Sequence, residues 1–217
     1  SILATMSIRS RDLTPNTGGA YEKDMLGEMG LANHGFGGGP KFLEFLLDEL
    51  KPLIDDTFAV DPHDSIIAGC SLGGLFLTWV LFNKPGSFTR YICISPAIWW
   101  NKEEVWQWEE NFAANNDDLK AQVFFTAGGL ETVEKLKVQM VNSPMTTETV
   151  IKLYDEHGWP RMAEITPEIT AKLKSRAYPS LEIHCFNMPD ETHMSVAPPA
   201  LTRGLRVFFG HWQVPTA

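Results

Sequence analysis

Between residues 65 and 76 the chain reads SIIAGCSLGGLF, with Gly69, Ser71 and Gly73 in the pattern G-x-S-x-G. A serine hydroxyl is a weak nucleophile until a base takes its proton, so its worth depends on where the chain places it. The residues before Ser71 are small or branched and apolar, as in a buried strand, and a second apolar run follows. A serine at such a strand-to-helix junction sits on the carboxyl edge of a sheet, in the tight turn called a nucleophile elbow. The pattern predicts that a Cβ on either flanking glycine would clash, and that the serine is pushed into exposed, strained backbone. The following helix offers N–H groups and the positive end of its dipole to a developing oxyanion, with the Leu72 N–H as the natural donor.

An elbow serine needs a base and an acid, in the usual chain order serine, acid, histidine. Six histidines are available. His34 and His63 precede the serine. His184 lies within the strand-like LEIHCF, His157 in a helical stretch, and His211 near the end of the last helical run. His193 follows the last strand in the polar loop NMPDETHMSV, from where an imidazole can swing over the sheet edge towards Ser71. For the acid, QVFFTAGGLE ends a strand with two glycines and reaches Glu131. A carboxylate there would hold the imidazole tautomer and stabilise the imidazolium. Glu134, Asp190 and Glu191 are alternatives, and Glu131 also reads as a dipole-favoured acid at a helix start.

The elements that position these residues alternate. Ile2 to Ile8 reads as a buried strand, and residues 12–40, rich in Gly, Pro, Asn and Asp, read as loop. Phe42, Phe45, Leu46, Leu50, Leu53 and Ile54 fall near helical spacing, with Pro52 predicted to kink that helix or mark its last turn. The runs SIIAGC, RYICIS, QVFFTAGG and SLEIHCFN read as strands buried on both faces. Helical candidates lie around 74–83, 102–113 and 131–140, and PALTRGLRVFFGHW closes the chain. Such alternation predicts an α/β fold, a mostly parallel sheet with helices on both faces. Residues 141–179, with TTETVIKLYDEHG and TPEITAKLKSRA, read as a helical insertion within one domain spanning 1–217.

Of 217 residues 44% are hydrophobic and 21% charged, enough for one well-buried core, and no apolar run nears the ~20 residues that span a bilayer. A formal charge of −9 without any Lys/Arg block argues against a nucleic-acid ligand. Cys70, Cys93 and Cys185 are odd in number and widely spaced, which fits neither a disulfide framework nor a metal site. No cofactor or metal motif is present, and oligomeric state and compartment, cytoplasmic or periplasmic, are left open. Trp99 and Trp100 follow RYICIS on the sheet's carboxyl edge, where they could wall a substrate pocket or pack in the core. Arg9 and Arg11, following the first strand-like run, would reach the same edge if that strand were parallel, to hold an anionic group of a substrate; the plainer alternative is that Arg11 pairs with Asp12 and Arg9 is solvated. The glycine-rich HGFGGGPKF at 34–42 reads as a flexible lead into a helix with Pro40 in its first turn.

With those residues in place, the sequence resembles the putative-esterase family of α/β-hydrolases, which contains esterase D-like and siderophore esterases. The resemblance rests on RSRDLTP (9–15), GGPKFLEFLLDELKPLI (38–54), IIAGCSLGGLF (66–76), FTRYICISPAIWWN (88–101), TAGGLE (126–131) and ETHMSV (191–196). It implies an α/β-hydrolase fold and a serine hydrolase that cleaves a small carboxylic ester, of a siderophore or a small acyl group, through an acyl-enzyme. Ser71 would be the nucleophile, His193 the base and Glu131 the acid, although some siderophore esterases are thought to work with a Ser–His pair. The family carries further strands before RSRDLTP, one of whose loops supplies a second oxyanion donor; the expectation is that these N-terminal strands are missing from the present sequence. The contrasting reading is a non-catalytic binding or scaffolding domain that has kept the elbow.

Overall fold

The computed structural model describes residues 2–142 and 146–210, with side chains described from Ser7 onward. The four runs expected as strands form β1 (Ile66–Cys70), β2 (Arg90–Ile94), β3 (Ala121–Thr126) and β4 (Leu181–Cys185), all parallel, in the spatial order β1-β2-β3-β4. Alternation along a strand sends Tyr91, Cys93, Val123 and Phe125 to one face and Ile92, Ile94 and Phe124 to the other. The first face is covered by α5 (Leu72–Asn83) and α10 (Met162–Ser175), with α7 (Val105–Ala113) packed on α5. The second is covered by α11 (Ala197–Phe209) through Ala200 and Phe208. Parallel neighbours cannot be joined by hairpins, so each connection must carry a crossover long enough to hold such a helix. Among the described residues no helix is long and apolar enough to cross a membrane.

Several expectations change. β2 and β3 are buried on both faces, but β1 and β4 are edge strands: Ile66 is 40% exposed, and Glu182 and His184 face solvent. The Ile2–Ile8 segment is not a strand but the start of helix α1 (Ile2–Asp12). A short apolar run fits either period, and Leu3, Ala4 and Met6 are strong helix formers. Within the supposed loop lies α2 (Ala20–Glu28), where Glu22 at the third helical position accepts the Gly19 N–H at 2.7 Å and Met25 and Leu26 are buried.

Pro52 does not end its helix. α3 (Gly39–Phe45) continues through a π-helical turn, Leu46–Leu50, into α4 (Lys51–Thr57), and Lys51 N–H donates to Leu46 O five residues back. The wider turn sits next to the ring that an unbroken α-helix accommodates poorly. Between β2 and α7 the short α6 (Trp100–Glu103) is no ordinary turn, because Asn101, Lys102 and Glu103 have φ of 49°, 58° and 58°. After β3 come α8 (Val133–Val141) and α9 (Glu148–His157). Of the 141–179 stretch, α10 covers β3 and β4 through Ile165, Ile169 and Leu173, so it is part of the sheet's own cover, while α9 packs on α2.

α7 is locked to the end of α10 by charge. Glu109 is completely buried and accepts from Arg176 Nε and Nη2 at 2.7 and 2.8 Å, with Lys172 Nζ 3.9 Å away. A buried carboxylate tolerates that position only while its cation is present. Arg176→Met is therefore expected to lower the urea midpoint with little change in slope, and Glu109→Gln added to it should restore part of the loss. A double variant less stable than Arg176→Met alone would show that the pair does not act this way.

Candidate active site

Ser71 joins β1 to α5 with φ 60° and ψ −117°, a left-handed conformation costly for a non-glycine residue. Backbone bonds hold it there: Ser71 N–H donates to Ile94 O at 2.9 Å, and Ala97 N–H donates to Ser71 O at 3.0 Å. The glycine argument holds for one flank only. A Cβ on Gly69 would stand 2.6 Å from the carbonyl carbon and oxygen of Gly73, whereas a Cβ on Gly73 would meet nothing within 4 Å. The second constrained glycine is Gly74, whose Cβ would lie 2.7 Å from the Cα of Pro96, so the start of α5 presses against the exit of β2. Leu72 N–H stands at the first turn of α5, with no acceptor from the chain among the described residues.

Glu131 lies beyond β3 and is completely buried. Its Oε1 accepts from Ser95 Oγ at 2.5 Å and from Gly128 N–H at 2.7 Å, which leaves Oε2 for His193 Nδ1 at 2.6 Å. The glycines of TAGGLE have a steric cause. A Cβ on Gly128 would stand 2.4 Å from Glu191 O, and one on Gly129 would stand 2.6 Å from Pro189 O. The loop carrying His193 thus lies directly on the exit of β3, tied by Gly129 N–H to Met188 O (2.6 Å) and Leu130 N–H to Glu191 O (3.1 Å). Glu134, Asp190 and Glu191 make no hydrogen bond to the imidazole.

Ser71, Glu131 and His193 line one cavity of about 580 Å³, which Arg9 and Trp99 also line. Among the described residues no hydrogen bond joins Ser71 to His193, as is common where catalytic contacts tighten only around a substrate. Arg9 comes from α1 rather than from a strand end; its Nη2 donates to Cys70 O at 2.7 Å, and burial lowers its pKa. Among the described residues it has no carboxylate partner. Arg11 is not brought to the cavity and pairs instead with Asp12 at 2.7 Å, in the open. Trp100 is in the core, fully buried, with Nε1 donating to Asn16 Oδ1 at 2.9 Å. Burial raises the pKa of Cys70, next to the nucleophile, so it is a protonated thiol at neutral pH.

The other histidines lie elsewhere. His184 Nε2 meets Glu182 Oε1 at 2.9 Å, His34 Nδ1 meets Ser7 Oγ at 2.9 Å, and His157 lines a neighbouring cavity. His211 lies outside the described residues. The residue that the sequence reading missed is Ser95, buried at the end of β2 with φ 38°. Its only signal was a polar side chain closing an otherwise apolar strand.

The family model described as "Putative esterase" matches residues 12–158. Ferri-bacillibactin esterase BesA of Bacillus subtilis is 29% identical over 174 residues, which is 78% of this chain and 51% of that protein. A siderophore triacetylfusarinine C esterase of Aspergillus fumigatus is 27% identical over 214 residues, 94% of this chain and 65% of the relative. The crystal structure of the BES protein from Bacillus cereus superposes with a TM-score of 0.66 at 27% identity, covering 92% of this chain and 63% of that one. The chain therefore spans between half and two thirds of the length of these relatives, and the sheet is of α/β-hydrolase type.

The asymmetry of the elbow glycines is testable. Gly69→Ala must open the strand-to-helix turn and should cost about 1–3 kcal/mol. Gly73→Ala, with open space for its methyl group, should stay within about 0.5 kcal/mol of the parent. Urea titration of both variants checks this, and equal losses would contradict it.

Proposed function

The chain belongs to the putative-esterase family, and from that premise we propose that it hydrolyses a small-molecule carboxylic ester with Ser71 as nucleophile, His193 as general base and Glu131 as the orienting acid. The observation that carries this reading is the His193 Nδ1–Glu131 Oε2 hydrogen bond of 2.6 Å in the cavity that the elbow serine lines. With Nδ1 committed to Glu131, Nε2 is the nitrogen left for Ser71. Ser71 Oγ attacks the ester carbonyl carbon while Nε2 takes its proton, and the Leu72 N–H stabilises the carbonyl oxygen as it becomes negative. Collapse breaks the bond to the alcohol, which leaves with the proton from His193. Water, deprotonated by the same nitrogen, then releases the acid and restores Ser71.

The names of the relatives favour a siderophore or small acyl ester as the substrate class. Arg9 supports an acceptor-rich or anionic substrate, since it is a half-buried guanidinium on the cavity wall of a chain whose formal charge is −9. It reaches such a group through donors that Cys70 O does not occupy.

A fluorophosphonate probe should label the native chain and not Ser71→Ala; absence of labelling in the native chain would favour a binding domain. His193→Ala should lower kcat/KM by roughly 10³-fold or more, and Glu131→Gln by roughly 10²–10⁴-fold with little change in KM. A Glu131→Gln variant at full activity would leave Ser71 and His193 as a working pair without the acid. For Arg9, a salt-sensitive preference for an anionic over a neutral ester should vanish in Arg9→Ala and persist in Arg11→Ala.

A further inference from the structure

The consecutive residues Ile94 to Ala97 reach both the nucleophile and the acid. Ile94 O accepts the Ser71 N–H at 2.9 Å, and Ala97 N–H donates to Ser71 O at 3.0 Å, so this segment grips Ser71 through both of its backbone polar groups. Between the two, Ser95 serves the next strand exit. Its N–H donates to Thr126 O at 2.7 Å, at the end of β3, and its hydroxyl donates to Glu131 Oε1 at 2.5 Å. Pro96 lies so close to α5 that a Cβ on Gly74 would stand 2.7 Å from its Cα, which leaves the segment little room to shift.

Ser95 holds its hydroxyl there against a conformational cost. Its φ of 38° lies in the left-handed region that residues with a Cβ rarely adopt, and the residue is completely buried. Glycine would meet the same backbone requirement without strain, so the backbone gives no reason for a serine. The hydroxyl does. An ionised carboxylate only accepts, so the single hydroxyl hydrogen must point at Oε1. Two donors then fix Oε1, the Ser95 hydroxyl and the Gly128 N–H at 2.7 Å, and Oε2 is left facing His193 Nδ1. Without the hydroxyl, Oε1 keeps Gly128 alone among the described residues. The carboxylate is then free to turn, and its hold on Nδ1 weakens.

We propose that Ser95 is a positioning residue of this site: it keeps the Glu131 carboxylate turned so that His193 is held as the Nδ1–H tautomer, with Nε2 left for Ser71. It touches no reacting atom and acts only through Glu131 and the imidazole. The effect on turnover rests on the esterase reading, whereas the effect on the imidazole does not. Because the same short segment grips Ser71, nucleophile and acid keep one spacing, and the hydroxyl converts that spacing into a fixed ring orientation.

The test uses Ser95→Gly, which suits the left-handed backbone, and Ser95→Ala, which keeps the Cβ. Each is assayed with nitrophenyl butyrate. The His193 tautomer is read in alkaline buffer, where imidazoles are neutral, from ring nitrogen shifts correlated through the carbon-bound protons, with His193→Ala to assign the signals. Both variants should lower kcat roughly 10- to 100-fold at unchanged KM, the effect of one lost hydrogen bond to a charged group. Both should also move part of His193 from the Nδ1–H to the Nε2–H form. A residue that only packs would lower the urea midpoint and leave the tautomer as it is. Parent kcat in both variants, or a lowered kcat with the parent tautomer, overturns the proposal and leaves the esterase reading standing. If the wild type takes no fluorophosphonate and cleaves no ester, the esterase reading fails and the tautomer alone decides. An Nδ1–H ring in the wild type that becomes mixed in both variants then supports the role of Ser95, and any other result overturns it.

Discussion

The buried carboxylate of Glu131 is the group around which the carboxyl edge of the sheet is assembled. A charge with no exposed surface is costly unless every oxygen is satisfied. Glu131 is satisfied from three separate strand exits: Ser95 after β2, Gly128 after β3 and His193 after β4. Gly128 lies on the same loop as Glu131, while Ser95 and His193 come from other strand exits, so the carboxylate ties the segments after β2 and β4 to the loop after β3. The imidazole is oriented as a by-product of satisfying a buried charge.

Close backbone approach makes that assembly possible. The loop before His193 lies on Gly128 and Gly129 at distances that leave no room for a Cβ, and it extends the β3–β4 pairing through the Gly128–Met188 bridge. The same economy governs the elbow, where Gly69 passes against Gly73 and Gly74 against Pro96. These glycines are thus explained by what lies across from them, and their φ values are negative. Apart from Ala177 near the end of α10, the non-glycine residues with positive φ are Ser71 and Ser95, at the carboxyl ends of β1 and β2, and the Asn101–Glu103 turn that follows β2. Strain gathered at one edge, and held there by backbone and carboxylate bonds, is what a preorganised site requires.

Two cations line the cavities at this edge in a chain whose formal charge is −9. Arg9 enters from a helix that precedes the sheet, and Lys102 from a loop that follows β2, so neither belongs to the elbow, yet each lines a cavity that Trp99 also lines. The carboxylates that might have neutralised them are used elsewhere: Asp12 by Arg11, and Glu103 by Arg161 and Trp106.

Much of this was readable from the amino-acid order, because the relevant signals are local. Four apolar runs bounded by turn residues determined the strands, their alternation with helices determined parallel pairing, and strand–Gly–x–Ser–x–Gly–helix marked Ser71. The position of His193 after the last strand, and of Glu131 after two glycines, follows from the same order. Tertiary structure alone decided the rest. Ile2–Ile8 carries no period that separates strand from helix, and it became α1, so Arg9 reaches the cavity from a helix. Trp99 and Trp100 are neighbours of one type, but one lines the cavity while the other is sealed in the core by Asn16. Ser95 is an unremarkable residue until the fold sets its hydroxyl 2.5 Å from Glu131. Such assignments depend on which distant backbone arrives opposite a residue, and no local propensity or spacing encodes that.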